Sequence, residues 1–390
     1  MSRSPATGRC RLCMAIAYKT NKGQDVLRSL AGGLPVNPAC VAMLAVKGSA
    51  ESMSVFAEET KLNLFFDGGR FRIFSVPSFW PYCQPTTYGE HFKETDYLIC
   101  LDWNPSISRE NQIALAKGVR AKCIFFSGTE YTHNIRKEAG LESHLISNNC
   151  FVNPDLFQIT PASKIYDAVY TARAMTIKRV GLAQAVPNLA LIVDRWFQSA
   201  VAVPDDAYAS VPASYLNERR LNAQELSGLY NQSRCGLILS PREGACFTVT
   251  EYLLCGIPVV STKPEHPMGL GGRELWLNER NSIYVDPTPE AVRAGVEDIN
   301  SRNLPPEEIR SMCVEEINRN LRKIVGVIGN IFERHNCSED VYELVKGYSD
   351  PAELVLGPGA WNNTHHAKRH RLAPEYVSTP LPKAIAMLAA

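Results

Sequence analysis

Glu243 and Glu251 are the residues whose type and spacing first suggest chemistry. They bracket a turn in the segment Ser240-Pro-Arg-Glu-Gly-Ala-Cys-Phe-Thr-Val-Thr-Glu-Tyr-Leu-Leu-Cys-Gly-Ile-Pro-Val-Val-Ser261. The apolar run Cys235–Leu239 predicts a strand ahead of it, and Phe247–Leu254 a helix after a Gly-containing loop. Such a helix start aims free backbone N–H groups at the crevice beyond the strand ends, where a phosphate or sugar oxygen can be held. Glu243 falls in the loop and Glu251 two turns along, so both can point to the same side. A carboxylate accepts two hydroxyl hydrogens at once, which suits the vicinal hydroxyls of a ribose or a hexose. Glu251 lies mid-helix among apolar neighbours, where burial without a polar partner is costly. Gly256 suits the left-handed residue that ends a helix, and Ile257–Ser261 reads as the next buried strand. Taken by themselves, two glutamates at this spacing also fit a pair of solvated surface carboxylates.

In context, the segment resembles the E-x7-E element of GT-B glycosyltransferases, particularly the retaining family 4, or group 1 type. The resemblance rests on Glu243-Gly244, Glu251 and Cys255-Gly256-Ile257-Pro258-Val259-Val260. At Ala245-Cys246-Phe247 the chain departs from the family's Phe-Gly-aliphatic triplet, which leaves the sugar open. Leu226-x-x-Leu229-Tyr230 resembles the helix that precedes the motif. Gly271-Gly272-Arg273-Glu274-Leu275 resembles the family's Gly-Gly loop, and Asn281-Ser-Ile-Tyr-Val285 the strand after it. Upstream, Tyr170-Thr-Ala-Arg173-Ala-Met-Thr-Ile-Lys178 resembles a strand-end Gly-Arg…Lys-Gly element, with Ala172 in place of Gly and Arg179 as a third cation.

The resemblance implies Glu243 on the donor hexose, Glu251 on the ribose, and Arg173 with Lys178 on the diphosphate, where charge builds as the sugar departs. Gly244, Ala245, Cys246, Phe247, Gly271 and Gly272 would complete the donor site. It further implies a hexosyltransferase acting with retention, without a metal or other cofactor, on a UDP- or GDP-sugar co-substrate. The acceptor stays open among glycans, small molecules, lipids and proteins. No Asp-x-Asp and no Gly-x-Gly-x-x-Gly occurs, which argues against a metal-dependent GT-A enzyme and an NAD-dependent dehydrogenase. A catalytically silent scaffold that binds a sugar nucleotide or glycan, and a sugar-nucleotide epimerase, are the alternatives on the same fold.

The first half carries weaker candidates. Lys22-Gly23 follows the first predicted strand and resembles the glycine loop that faces the donor phosphates, although a plain strand-to-helix turn also fits. Asp102 and Trp103 follow the strand Tyr97–Leu101, where many family members carry a sugar-contacting His. Trp103 suits stacking on a sugar face or packing between loops. Ser127-Gly128-Thr129-Glu130, with His133 nearby, borders the same cleft in this reading, while His133 also fits a helix surface.

Positioning these residues requires two α/β domains, because short apolar runs alternate with helical patterns almost throughout. In the first half the predicted strands are Cys10–Ala17, Val41–Val46, Tyr97–Leu101, Lys122–Phe126 and His144–Ile146. The predicted helices are Gln24–Ala31, Ala50–Lys61, Ser106–Lys117 and Tyr131–Ala139, and Asp67-Gly68-Gly69 predicts a hairpin over Asn63–Pro77. Polar, aperiodic Asn148–Pro161 reads as the hinge. Beyond it come strands at Ile165–Tyr170, Leu189–Val193, Cys235–Leu239, Ile257–Ser261 and Ser282–Val285. Helices are expected at Lys178–Val186, Asn222–Gln232, Phe247–Leu254 and Pro289–Ile299, and the chain should be largely helical from Pro305 to Gly347. The expected organisation is an acceptor-side Rossmann-like domain over 1–150, a donor domain over 151–335, and a helix and irregular tail over 336–390. In this GT-B arrangement the two parallel-sheet domains face each other across a cleft.

Composition sets outer limits. The net charge of +1 gives no overall field to attract a polyanion, which disfavours bulk nucleic-acid binding. No run of about 20 apolar residues crosses a bilayer, and Met1–Arg9 lacks a secretory pattern. The twelve cysteines scatter through strand-like and helix-like runs, which suits reduced thiols in a cytoplasm. Cys10-x-x-Cys13 sits inside a strand-like run rather than opening a helix, so it does not read as a redox motif.

Overall fold

The computed structural model describes residues 63–67, 70–76, 92–101, 109–152, 154–194, 208, 210–243, 245–265 and 273–336. Gly23, Asp102, Trp103, Gly244, Gly271 and Gly272 lie outside the described residues, as do the elements predicted before residue 62 and the tail. Among the described residues, those up to Ile124 fall in one compact unit and those from Phe125 onward in another.

The first sheet orders its strands β1 (Asn63–Asp67), β2 (Arg72–Val76), β3 (Tyr97–Leu101), β4 (Lys122–Ser127) and β5 (Glu142–Leu145) in sequence. β1 and β2 form the antiparallel hairpin predicted from Asp67-Gly68-Gly69, pairing Asn63 with Ser75 and Asp67 with Arg72. β2 then runs parallel to β3. β3 is buried along its whole length, the mark of an inner strand covered on both faces. Helix α1 (Arg109–Gly118) precedes β4, and α2 (Glu130–Glu138) links β4 to β5. Thr129 and Thr132 cap α2 reciprocally, each hydroxyl serving the other's backbone N–H.

The second sheet contains β6 (Ala168–Arg173), β7 (Leu189–Asp194), β8 (Tyr215–Leu216), β9 (Gly236–Ile238), β10 (Val259–Thr262) and β11 (Ser282–Val285). Its spatial order is β11-β10-β9-β6-β7-β8, and every pair is parallel. Counted from β6, this is the 3-2-1-4-5-6 order of a doubly wound nucleotide-binding fold, and the order reverses between β6 and β9. The α/β class with parallel sheets is therefore what the structure shows. Covering helices are α3 (Ala223–Asn231), α4 (Phe247–Leu254), α5 (Arg273–Trp276), α6 (Pro289–Ser301) and α7 (Pro306–Arg334). No helix among the described residues is long and apolar enough to cross a membrane.

α4 begins and ends where the sequence places it. It stops because Gly256 takes φ 70° and the N–H groups of Gly256 and Ile257 return to Leu253 and Tyr252 carbonyls. That double closure satisfies carbonyls the helix would leave open. Gly236 opens β9 for a different reason: a Cβ there would sit 2.1 Å from the Tyr252 ring. The bare backbone lets that ring lie against the strand.

Some predicted elements differ in bounds or type. The strand predicted from Ile165 starts at Ala168, because the Ile165 and Tyr166 N–H groups bond the Gln232 carbonyl. The helix predicted over 178–186 is instead two 3₁₀ turns, Thr176–Lys178 and Val180–Ala183, interrupted by Arg179 at φ 47°. The segment read as a hinge carries a buried 3₁₀ turn, Asn148–Phe151. β8 and α5 were not predicted.

Candidate functional site

The strand order reverses between β6 and β9, and two of the predicted residues, Lys178 and Glu243, meet on the segments that follow those strands. β6 ends at Arg173, which is exposed. The turn that follows is pinned from beneath by the Tyr170 hydroxyl, which donates to the Lys178 carbonyl. Lys178 then reaches across to Glu243 on the loop after β9, and its Nζ forms an ion pair with Glu243 Oε1. Their side chains are only 16% and 12% exposed, so this is not a solvated surface pair. Burial works to raise the Glu243 carboxyl's pKa, but the Lys178 charge and hydrogen bond prevail and hold it below the ordinary carboxylate value.

Arg179 is part of the frame. Its Nε donates to the Leu239 carbonyl (2.7 Å), and Nη2 donates to Thr262 Oγ1 (2.9 Å). It thereby ties the outgoing ends of β9 and β10 to the turn that carries Lys178. Burial lowers its pKa from the ordinary value. Arg273 does similar work below, fully buried and donating to Ser261 Oγ at 2.9 Å.

Glu251 sits inside the second layer, 3% exposed, on a helix whose residues from Val249 to Leu254 are all buried. The Tyr230 hydroxyl of α3 donates to its Oε2 at 2.9 Å. Burial pushes its pKa up to about 7, against the opposing pull of that hydrogen bond. Tyr230 Oη also lies 3.2 Å from Thr171 Oγ1 on β6. Beside it, Tyr252 Oη accepts from the Thr171 N–H (2.9 Å) and donates to the Val169 carbonyl (3.3 Å). Two tyrosines thus stitch α3 and α4 to the strand that bounds the crevice.

Cys246 caps α4 with its backbone and has no side-chain cap bond. Burial pushes its thiol up to about 12, which favours the protonated form over the thiolate. Its carbonyl accepts from Asn149 Nδ2 (2.8 Å), which also contacts Thr250 Oγ1 (3.0 Å). Ala245 and Phe247 are partly exposed at the helix entrance.

His133 does not join this group. Its Nδ1 lies 3.1 Å from Ser143 Oγ, which is 2.8 Å from Ser127 Oγ, which in turn accepts from buried Arg136 (2.7 Å). Burial, with Lys137, His144 and Lys323, lowers the His133 pKa from its ordinary value, against the opposing charge of Glu130. Among the described residues, no group of three or more His, Cys, Asp or Glu is placed to hold a metal ion.

No protein-family model matches this chain, and no curated protein matches it. Solved glycosyltransferase structures are similar to it. The sucrose-phosphate synthase of Thermosynechococcus elongatus is 15% identical with a TM-score of 0.45, covering 64% of this chain and 69% of its own. A pneumococcal O-GlcNAc transferase, GtfA, solved with UDP and GlcNAc, is 14% identical with a TM-score of 0.46, covering 63% and 55%. A glycosyltransferase from Rickettsia africae is 14% identical with a TM-score of 0.44, covering 64% and 79%. This chain thus spans about half the length of the pneumococcal protein.

Sequence reasoning missed the supporting residues more than the candidates themselves. Tyr230 was singled out only as part of a motif, and Arg179 only as an extra cation. A hydroxyl directed at a buried carboxylate 21 residues away leaves no local signal. Arg179 was more open to discovery, since a basic residue following another at a strand end is a candidate clamp as well as a ligand.

Proposed function

We propose that this chain is a glycosyltransferase that moves a hexosyl group from a UDP- or GDP-sugar to an acceptor, with retention and without a metal. One observation carries the reading: the Lys178–Glu243 ion pair lies at the switch point of a 3-2-1-4-5-6 parallel sheet. A cation held there at the end of β6 is suited to a diphosphate, and a carboxylate facing it is suited to sugar hydroxyls. The E-x7-E resemblance supports the same assignment.

In this proposal Arg173 and Lys178 stabilise the charge that develops on the departing diphosphate. Glu243 orients the hexose, and Glu251 serves the ribose. The entrance to α4 at Ala245, Cys246 and Phe247, with Gly244, Gly271, Gly272 and Gly23, completes the donor site. The acceptor oxygen bonds the anomeric carbon as its bond to the phosphate oxygen breaks, and a donor phosphate oxygen takes the acceptor's proton on the same face. Asp102, Trp103 and His133 are assigned to the acceptor side. The domain limits 1–150, 151–335 and 336–390 belong to the proposal, as does a cytoplasmic location, which the free, buried described cysteines support.

The test combines nucleotide binding with turnover. Release of UDP or GDP from the matching sugar nucleotide should fall by about 10²–10³-fold in Glu243→Ala and in Lys178→Ala. Unchanged turnover in both would end the reading. Tight nucleotide binding without turnover for any donor or acceptor would favour a scaffold, and conversion of the donor with no acceptor present would favour an epimerase.

A further inference from the structure

We propose that Tyr230 is the positioning residue for Glu251, fixing its carboxylate through the Oη–Oε2 hydrogen bond and anchoring it to Thr171 on β6. The inference rests on the donor-site reading, in which Glu251 meets the ribose.

The geometry is specific. Tyr230 has one hydroxyl proton, and it is directed at Glu251 Oε2 over 2.9 Å. With that proton committed, the contact at 3.2 Å is one in which the Thr171 hydroxyl donates to Tyr230 Oη. The chain therefore runs Thr171 to Tyr230 to Glu251, from the crevice-bounding strand to the buried helix. The Tyr230 ring cannot easily swing away. It stacks on Phe157 (centroids 6.0 Å apart) and meets Tyr252 edge-on (4.9 Å). A carboxylate held at one oxygen by a locked phenol keeps its rotamer and stays ionised more readily than burial alone would allow.

Among the described residues Glu251 shares the range near neutrality with Glu274 of α5, whose carboxyl burial also raises to about 7, while the titratable groups that act on Glu251 do not change charge there. Tyr230 on α3, with Tyr252 and Cys255 beside it on the α4 segment, are each raised by burial, Cys255 to about 12. The cations that act on Cys255 are already engaged: Arg310 of α7 on the Leu254 and Pro154 carbonyls, Lys164 on the Ser233 carbonyl. Ionised Glu251 accepts ribose hydroxyls, so nucleotide affinity should decline as pH falls through its pKa. Removing the Tyr230 hydroxyl moves that midpoint upward.

The experiment titrates UDP and GDP calorimetrically into wild type, Tyr230→Phe and Glu251→Gln across pH. In parallel, the carboxylic C=O stretch of each nucleotide-free protein is followed by difference infrared spectroscopy. Tyr230→Phe should bind about tenfold more weakly near neutral pH, recover at higher pH, and show a C=O midpoint raised by about one unit. Glu251→Gln should lose the Glu251 component of that band, leaving the contribution of Glu274, which burial also raises to about 7, and in the calorimetry it should retain the nucleotide's own phosphate titration. Thr171→Val should move the midpoint the same way by less, and it serves if Tyr230→Phe does not fold. An unshifted infrared midpoint in the folded tyrosine variant overturns the inference. A wild type that binds neither nucleotide, yet shows the infrared shift, overturns the donor-site reading and leaves Tyr230 only as a structural tether to Glu251.

Discussion

Glu243 and Glu251 belong to one strand-to-helix unit, yet their surroundings drive them in opposite directions. Glu243 sits on a loop that a long lysine reaches from beyond the neighbouring strand end, and the charge it meets lowers its pKa. Glu251 sits on a helix walled by α3 and β6, where the hydrogen bond identified is to a neutral phenol. Burial therefore prevails, and its pKa rises to about 7. The difference shows how position within one motif can assign two carboxylates different work. The Lys178-paired carboxylate is biased toward its ionised form, which accepts from hydroxyls and cations. The inner one is poised to change charge near physiological pH. Their contributions to stability consequently run in opposite directions with pH.

The largest expected effect breaks the comparison at its charged end. Replacing Lys178 with Met leaves Glu243 at the crevice without the partner that offsets its burial. Removing one member of a largely buried pair is expected to destabilise by about 3 kcal/mol at pH 7. The sign is open to a second check. In wild type the lowered Glu243 pKa contributes stability above the ordinary carboxylate pKa, and that contribution is lost as pH falls through the folded value. In Lys178→Met the pKa should rise, so the variant should recover relative to wild type in acid. Urea melts at pH 4 and pH 7 measure both quantities. A deficit that is the same at both values would mean the pair contributes through packing and not through charge.

Much of this arrangement was legible where the signal is local. The α4 boundaries followed from an apolar run ending in Gly256, the β1–β2 hairpin from Asp67-Gly68-Gly69, and β11 from Ser282–Val285. Elements decided by distant partners were not. Residues 148–161 read as polar and aperiodic, and part of that polarity serves buried bonds whose partners lie far along the chain. Asn149 holds the Cys246 carbonyl and Thr250, and just before the segment the Ser147 N–H donates to Asn320 Oδ1 across 173 positions. Residues 178–186 have a helical pattern, yet Arg179 is pulled into a left-handed turn where its guanidinium meets the ends of β9 and β10. Among the site residues, the glutamates stood out by type and spacing. Their opposite electrostatics could not be read, since Lys178 is 65 positions from Glu243 and no rule of local spacing joins them.

A smaller effect sharpens the other end of the comparison. Glu251 is protonated more readily in the folded chain than in the unfolded one. Its contribution is therefore full below the ordinary value of 4.5 and falls as pH rises toward about 7. Glu251→Gln keeps the shape and an acceptor for Tyr230 but carries no charge to desolvate. It should match wild type near pH 4.5 and exceed it at pH 8 by roughly 2 kcal/mol. Thermal melts at the two values decide the point. A variant less stable than wild type at pH 8 would mean that charged Glu251 has a partner strong enough to reverse the burial penalty.

The smallest effect belongs to a pair that resembles Lys178–Glu243 on paper. Arg293 Nε and Glu297 Oε1 are 2.8 Å apart on α6, one turn from each other, and both side chains are more than half exposed. Distance alone would rank this contact with the crevice pair. Water screens it, however, and two long side chains must be immobilised to keep it. A double-mutant cycle through Arg293→Ala and Glu297→Ala should return a coupling of about 0.3–0.5 kcal/mol, diminishing as salt is added. The same cycle on Lys178 and Glu243 should return several times more and change little with salt, because those groups lie largely out of water. Equal couplings at the two sites would remove the physical basis for treating Lys178 and Glu243 as preorganised, since the crevice would then hold its charges no more firmly than an open helix face does.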